Sequence, residues 1–274
     1  MFTFRSFGSG SSGNSYLFST DSGSFLIDAG VGIRRIKQCL YESGLSADKL
    51  QAVFLTHDHA DHAKNAGALQ KEAQKTGRNL PVYVTETSLH GINRNPSIRK
   101  KLIADGIRLI LKNKVIECCG CRLTPFDVPH DSEDNTGYLI QYGRQTLCLL
   151  TDAGSITPEI RQHVEQAQLL IIESNYDRNM LDTGPYPRNL RQRIYGGHGH
   201  LSNEQAAEII YDNREKLRRA WLCHLSNNNN TPDRAQATVI KKFKEKGLLI
   251  ENYLQLDILQ RRVASALFNL EENT

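Results

Sequence analysis

The stretch Thr56-His57-Asp58-His59-Ala60-Asp61-His62 packs three of the chain's nine histidines and two carboxylates into six residues. Imidazole nitrogen and carboxylate oxygen together suit a divalent ion of the zinc, manganese or iron kind, with no need for a thiolate. His57 and His59, two apart, can point into one cavity from an extended turn. Asp61 and His62, opening the next helix, can serve a second position about one metal–metal spacing away. A solvated polar turn with fortuitous histidines is the bland alternative, but three imidazoles this close would repel one another once charged.

The elements around the motif place it. AVFLT, 52–56, is a compact apolar strand, so the histidines emerge at a strand's carboxyl end, where α/β proteins put their sites. Before it, FTFRSFG and YLFST flank the turn GSGSSGN, FLIDAG follows, and IRRIKQCLYESG carries Ile33, Ile36 and Leu40 at helical spacing. Residues 63–76 read as a helix, 81–85 as a strand, and 86–106 as helical and loopy. A strand-rich stretch follows over 107–152. Then come a helix at 158–166, strand LLIIES, a loop to about 199, a helix from 203, strand AWLCHL and a helix at 232–246. Closing strands are expected at 248–255 and 262–268. Strand–helix alternation after a β-rich opening predicts one α/β domain over 1–274, with two sheets and outer helices.

Composition narrows the class without naming a function. The 274 residues are 39% hydrophobic and 23% charged, ordinary for a soluble globular protein. The net charge of +4 is compatible with a polyanionic substrate but too small to argue for one. No run is long enough for a signal peptide or a membrane span, which points to a cytoplasmic protein. The six cysteines lack the spacing of a disulfide framework. Cys118-Cys119-Gly120-Cys121 holds one CxxC, able in principle to bind metal or do redox work, but no second CxxC exists to complete a four-thiolate site.

HxHxDH is also the point at which the chain resembles the metallo-β-lactamase superfamily. Asp28 in FLIDAG, His130 in DVPHDSEDNTGYLI, Asp152 in LLTDAG and a histidine after a late strand extend the match. The resemblance implies a four-layer αββα sandwich and a site for two metal ions. It implies that His57, His59 and His130 bind one ion, that Asp61, His62 and the late histidine bind the other, and that Asp152 bridges them. Asp28 is expected to orient ligands from behind. GSGSSGNS, ESNYDRNML, GPYPRNLRQRI, GHLSNEQAA and HLSNNNNTP are most like the YycJ/WalJ branch, which is regarded as DNA exonuclease-like.

HLSN occurs twice, and local context separates the copies. His224 ends the apolar strand AWLCH, as His57 ends its own, and takes the last ligand position. His200 lies in the glycine-flanked turn GGHGH, ahead of a helix that Ser202 and Gln205 can open as a capping box. In the related tRNase Z nucleases a glutamate–histidine pair outside the metal ligands assists phosphodiester cleavage, and Glu173 with His200 looks like that pair. His198 is the rival histidine. Asn227 to Asn230 read first as the turn leading to a helix capped by Thr231-Pro232, with Asn228 as the candidate phosphate contact among them. Arg178, Arg188, Arg191 and Arg193 lie between Glu173 and His200 and could follow a nucleic-acid backbone, or simply face solvent.

The reading is a two-metal hydrolase of phosphodiesters, DNA above all, with Asp61 also holding the attacking water. A small-molecule hydrolase on the same fold is the alternative. A di-iron oxidoreductase fits less well, since that group usually has glutamate where His59 stands. A non-catalytic binding protein should have lost at least one of the ligands.

Overall fold

The computed structural model describes residues 1–271. Its strands form two mixed seven-stranded sheets, ordered β14-β1-β2-β3-β4-β5-β6 and β13-β12-β11-β10-β9-β8-β7. The chain divides into two compact units: residues 1–125, 132–136 and the described residues from Arg261 in one, 126–131 and 137–260 in the other.

The first unit contains β1 (Phe2–Gly8), β2 (Ser15–Thr20), β3 (Gly23–Ile27), α1 (Ile33–Glu42), β4 (Ala52–Phe54), α2 (Ala60–Ala63) and α3 (Ala66–Gln74). It continues with β5 (Val82–Val84), α4 (Glu86–Arg94), β6 (Ile107–Leu109), β7 (Ile116–Cys118), most of β8 (Cys121–Asp127) and the late β14 (Phe268–Asn269). Alternation along the strands builds its two faces. Phe4, Phe18, Phe25 and Phe54 pack in sequence on one face, tilted, stacked and edge-to-face in turn, with ring centroids 5.2, 5.4 and 5.5 Å apart. Leu17, Leu26, Val53 and Val82 point the other way and pack with Ile36 and Leu40 of α1, Leu69 of α3 and Ile92 of α4. Strands β3, β4, β5 and β6 run parallel. Their carboxyl ends therefore share one edge of the unit.

The second unit holds β9 (Thr136–Tyr142), β10 (Gln145–Leu150), α5 (Pro158–Val164), β11 (Leu169–Glu173), α6 (Arg178–Thr183) and α7 (Arg188–Tyr195). It ends with α8 (Asn203–Asp212), β12 (Arg219–Cys223), α9 (Pro232–Lys244) and β13 (Gln255–Ile258). Strands β10 to β13 are parallel, and the Leu150, Leu170, Ile172 and Leu222 face packs on Ile160, Ile209, Ile210, Val239 and Phe243. Ser202 and Gln205 close a reciprocal capping box on α8, and Thr231 caps α9 ahead of Pro232.

Three stretches differ from the sequence reading. Residues expected as a loop up to 199 contain α6 and α7. The Asp177 side chain caps α6 by accepting from the Met180 amide, a signal hidden among Gly184, Pro185 and Pro187. The helix expected over 63–76 is α3, Ala66–Gln74, and a separate short helix, α2, capped by the extended His59, precedes it. The closing strands are shorter. Leu248 packs partly buried against the core and Ile250 opens a 3-10 helix, Ile250–Asn252, rather than continuing a strand, so β13 starts at Gln255; β14 is only Phe268–Asn269.

Candidate functional site

In the first unit, one buried carboxylate organises the histidine motif. Asp28 follows β3 with φ 61°, a left-handed conformation that a non-glycine residue adopts at a cost. Its Oδ1 accepts the Thr56 amide at 2.9 Å, and Oδ2 stands 2.6 Å from His62 Nδ1. The Thr56 hydroxyl lies 2.9 Å from Asp28 Oδ2 and 2.9 Å from His57 Nδ1. A hydroxyl has one proton, and the carboxylate can only accept it. Thr56 therefore donates to Asp28 and accepts from His57 Nδ1–H, while His62 Nδ1–H donates to Asp28 directly. Both rings carry their proton on Nδ1 and keep Nε2 as a lone-pair donor, the form that binds metal. Burial pushes the Asp28 carboxyl above the usual carboxylate range, and the charge and hydrogen bonds of His62 and Thr56 only partly oppose this.

The neighbours agree with that tautomer. The Asn14 amide donates to His62 Nε2 at 2.8 Å, while Asn14 Oδ1 accepts the Gly10 amide at 2.7 Å. The His57 ring centroid is 4.6 Å from that of His59 and 4.1 Å from that of His62. Asp61 Oδ2 lies 3.7 Å from His62 Nε2. Asp58, the motif's other carboxylate, instead anchors the turn: it accepts the Glu133 amide at 3.2 Å and packs where Gly91 of α4 has no side chain. Gly30 is required for closeness. A Cβ there would stand 1.5 Å from the Asp61 carbonyl oxygen, so only glycine lets the β3 turn touch the motif.

In the second unit, Asp152 and His224 follow β10 and β12, both with φ 51°. The Glu173 carboxylate at the end of β11 is wholly buried and carries four donors. Oε1 faces His200 Nδ1 at 2.8 Å and His224 Nδ1 at 3.0 Å; Oε2 accepts the Ala153 and Leu201 amides at 2.9 and 3.1 Å. Asp152, Glu173, His200 and His224 bring potential ligand atoms within 4.8 Å of one another. With its four donors Glu173 is spent as an acceptor. His224 Nδ1 also lies 2.6 Å from Asp152 Oδ1, and the Asn175 amide donates to the His224 carbonyl at 2.9 Å.

His200 is partly open, its side chain 22% exposed, while Glu173 is closed off. Burial pulls the His200 imidazolium down, but the charge and hydrogen bond of Glu173, helped by Asp152, outweigh it and raise its proton affinity. Burial raises the Glu173 carboxyl, and His200 and His224 more than reverse that, holding it below its ordinary value. The structure thus sets His200, rather than the exposed His198, on the buried glutamate.

His130 donates from Nδ1 to the Gly199 carbonyl at 3.0 Å, so its Nε2 is the lone-pair nitrogen. Burial holds its imidazolium below the ordinary range, with Asp152 opposing. Gly199 reaches that carbonyl position because it packs tightly: a Cβ there would sit 2.2 Å from the Ile194 carbonyl oxygen. Asp131, next in sequence, lies 3.3 Å from His130 Nε2 and is ion-paired to Arg193.

The other arginines are on α6 and α7. Arg178 lies 3.8 Å from Glu204, Arg191 donates to the Asp182 carbonyl, and Arg188 is exposed at the start of α7. The asparagine run divides in two. Asn229 and Asn230 are buried, and Asn230 bonds Asn203 and the Ser174 carbonyl; Asn228 is exposed and donates to the Tyr186 hydroxyl at 3.2 Å. Sequence reasoning missed Asn14 and Thr56, and missed that Glu173 serves His224 as well as His200. The SGN turn and the strand-end threonine were visible, but their partners lie up to 48 residues away.

Comparison with known proteins gives relatives of nearly full length. The chain is 31% identical over 248 residues to "Exodeoxyribonuclease WalJ" of Streptococcus pneumoniae serotype 2, covering 90% of each. It is 29% identical over 244 residues to "Exodeoxyribonuclease YycJ" of Bacillus anthracis, covering 87% of this chain and 88% of the relative. Among solved structures, the metallo-β-lactamase fold protein YhfI from Bacillus subtilis matches with a TM-score of 0.70 at 19% identity, over 96% of this chain and 99% of that one. The fold class is thus the expected α/β one, with two mixed sheets and flanking helices. The model of the β-lactamase superfamily domain matches residues 24–225, a span containing Asp28 and every candidate ligand from His57 to His224, and the chain belongs to that family of hydrolases.

Proposed function

We propose that the chain is a metal-dependent phosphodiesterase acting on DNA in an exonuclease-like manner, with residues 1–274 working as one catalytic domain in the cytoplasm. The observation that carries this reading is the Glu173–His200 pair, a buried carboxylate 2.8 Å from a partly exposed imidazole whose proton affinity it raises. Such a pair offers a proton to a departing oxygen. The names of the WalJ and YycJ relatives support DNA as the polymer.

The donor set fits divalent metal. His57, His62 and His130 all have Nδ1 hydrogen-bonded to oxygen, which directs Nε2 lone pairs outward, and Asp61 and Asp152 add hard oxygens. Zinc, manganese and iron all accept this mixture. In this reading His57, His59 and His130 would hold one ion, Asp61, His62 and His224 would hold the other, and Asp152 would serve both. Asn14 donates to His62 Nε2 and would have to release it for that nitrogen to serve as a ligand. When bound, the ions supply Lewis acidity toward phosphate and water.

The chain's own groups do the rest. Asp61 accepts a hydrogen bond from the attacking water and orients it. Glu173 holds His200 through Nδ1 and keeps it protonated, and His200 passes a proton from Nε2 to the leaving oxygen. Arg178, Arg188, Arg191, Arg193 and Asn228 follow the phosphates, Arg188 with the fewest ties to its own fold. End-labelled single- and double-stranded DNA and RNA, with 5′-phosphate or 5′-hydroxyl ends, test this under zinc and under manganese. Stepwise loss of nucleotides from DNA is the expected result. Inertness toward all of them, with turnover of a thioester or lactone, would replace it by a small-molecule hydrolase.

A further inference from the structure

The β7–β8 hairpin carries three thiols around its turn. Cys118 and Cys121 face each other in register, and Cys119 and Gly120 form the two-residue turn between them. Cys119 has φ 52° and Gly120 φ 74°. Positive φ at both positions is the pattern of a type I′ turn, where asparagine, aspartate and glycine are the usual residues. A cysteine in the left-handed conformation is out of place there on backbone grounds alone.

That conformation has a chemical consequence. Neighbouring side chains in a strand point to opposite faces, and the left-handed turn at Cys119 cancels the alternation. The Cys118 and Cys119 sulfurs come to 3.5 Å, within sulfur hydrogen-bond reach. Gln51 Oε1 lies 3.5 Å from the Cys119 sulfur, and the Thr20 hydroxyl donates to the Cys119 carbonyl at 2.5 Å, so the turn is held in place. The hydrogen bond from Cys118 draws the Cys119 thiol below its ordinary range against the effect of burial, and raises Cys118 correspondingly. Cys118 is half-buried, whereas Cys39, Cys148 and Cys223 are buried single thiols.

Two sulfurs this close can form a bond to each other or share a third atom. Adjacent Cα atoms are about 3.8 Å apart across a trans peptide, shorter than the roughly 4.4 Å that disulfides tolerate. A pyramidal trivalent centre with bonds to sulfur of about 2.3 Å and an inter-bond angle of about 100° separates its two sulfurs by about 3.5 Å. The observed separation suits the shared atom.

We propose that Cys118 and Cys119 form a dithiol site that chelates a soft, thiophilic centre such as trivalent arsenic, independently of the metal-ligand residues. With phenylarsine oxide as the probe, two As–S bonds form. The arsenic–oxygen bond breaks, and both thiol protons leave with that oxygen as one water, with no change of oxidation state.

The test is intact-mass spectrometry of the native full-length chain treated with phenylarsine oxide and then with excess glutathione. The wild type should keep one phenylarsenic group through the monothiol wash and lose it to 2,3-dimercaptopropanol. Cys118→Ser and Cys119→Asn should release the group at least about tenfold faster, because a single As–S bond exchanges freely with monothiols. Asparagine suits the left-handed turn, so that variant keeps the hairpin. Cys121→Ser should behave as wild type. Retention by Cys119→Asn, no adduct on the wild type, or a Cys118–Cys119 disulfide found by peptide mapping of the untreated protein would each overturn the proposal.

Discussion

Glu173→Gln preserves the shape of the second-unit cluster and removes its charge. Four N–H donors converge on the two carboxylate oxygens, from His200, His224, Ala153 and Leu201. Glutamine offers one oxygen and one NH2, so either way round two donors meet another donor. Hydrogen bonds to a buried charged acceptor contribute about 1.5–3 kcal/mol each. Shifting the imidazole protons to Nε2 relieves part of the loss, which leaves a destabilisation of about 2–4 kcal/mol. The same tautomer shift turns the His224 lone pair away from Nε2, so metal affinity should fall by about 10- to 100-fold.

Turnover should fall by about 10²–10⁴ in the proposed role, because His200 loses the charge that keeps it protonated. In the wild type the raised proton affinity of His200 is a stabilising contribution, fully present below the ordinary histidine value of about 6.5 and lost as pH rises through the raised one. Glu173, held low, contributes above the ordinary carboxylate value and loses that contribution as pH falls through its lowered one. Glu173→Gln should therefore move the alkaline limb of the activity profile to lower pH. Thermal melts, metal titration and pH–rate profiles on metal-saturated protein measure all three effects. Wild-type turnover with an unmoved alkaline limb would rule out this role for Glu173.

Thr56→Val removes the hydroxyl between Asp28 and His57 Nδ1, and should weaken metal binding about 10- to 100-fold by isothermal titration with the fold intact by circular dichroism. Gly30→Ala drives a Cβ to within 1.5 Å of the Asp61 carbonyl oxygen, so its melting should show a loss of about 3 kcal/mol or more, and a wild-type melt would contradict the packing. Arg188→Ala should weaken DNA binding uniformly across sequences and reduce the slope of log affinity against log salt by about one; an unchanged slope removes Arg188 from the interface.

What the sequence made legible followed short-range rules. His57, Asp152 and His224 stand at strand ends that apolar runs mark, and Ser202-x-x-Gln205 announces α8 before any contact is known. Helices α6 and α7 were hidden because Gly184, Pro185 and Pro187 punctuate them and α7 is polar but for Leu190, Ile194 and Tyr195, so neither periodicity nor length distinguishes it from a loop. The left-handed backbone at Asp28, Asp152 and His224 leaves only a weak trace in residue type, since aspartate and histidine are enriched at positive φ but mostly adopt negative φ unless the fold enforces otherwise. Asn14 and Thr56 depend on hydrogen bonds to residues distant in sequence or shared among several groups, which spacing cannot reveal.

In the proposed function the two HLSN histidines have different tasks, His224 holding metal and His200 moving a proton. Metal stoichiometry by plasma mass spectrometry, paired with DNA cleavage rates for His224→Ala and His200→Ala, tests it directly. His224→Ala should lose about one ion per chain and its activity, while His200→Ala should keep the wild-type metal content and lose about 10²–10⁴ in turnover. Metal lost from His200→Ala, or wild-type turnover in it, would contradict this division of tasks.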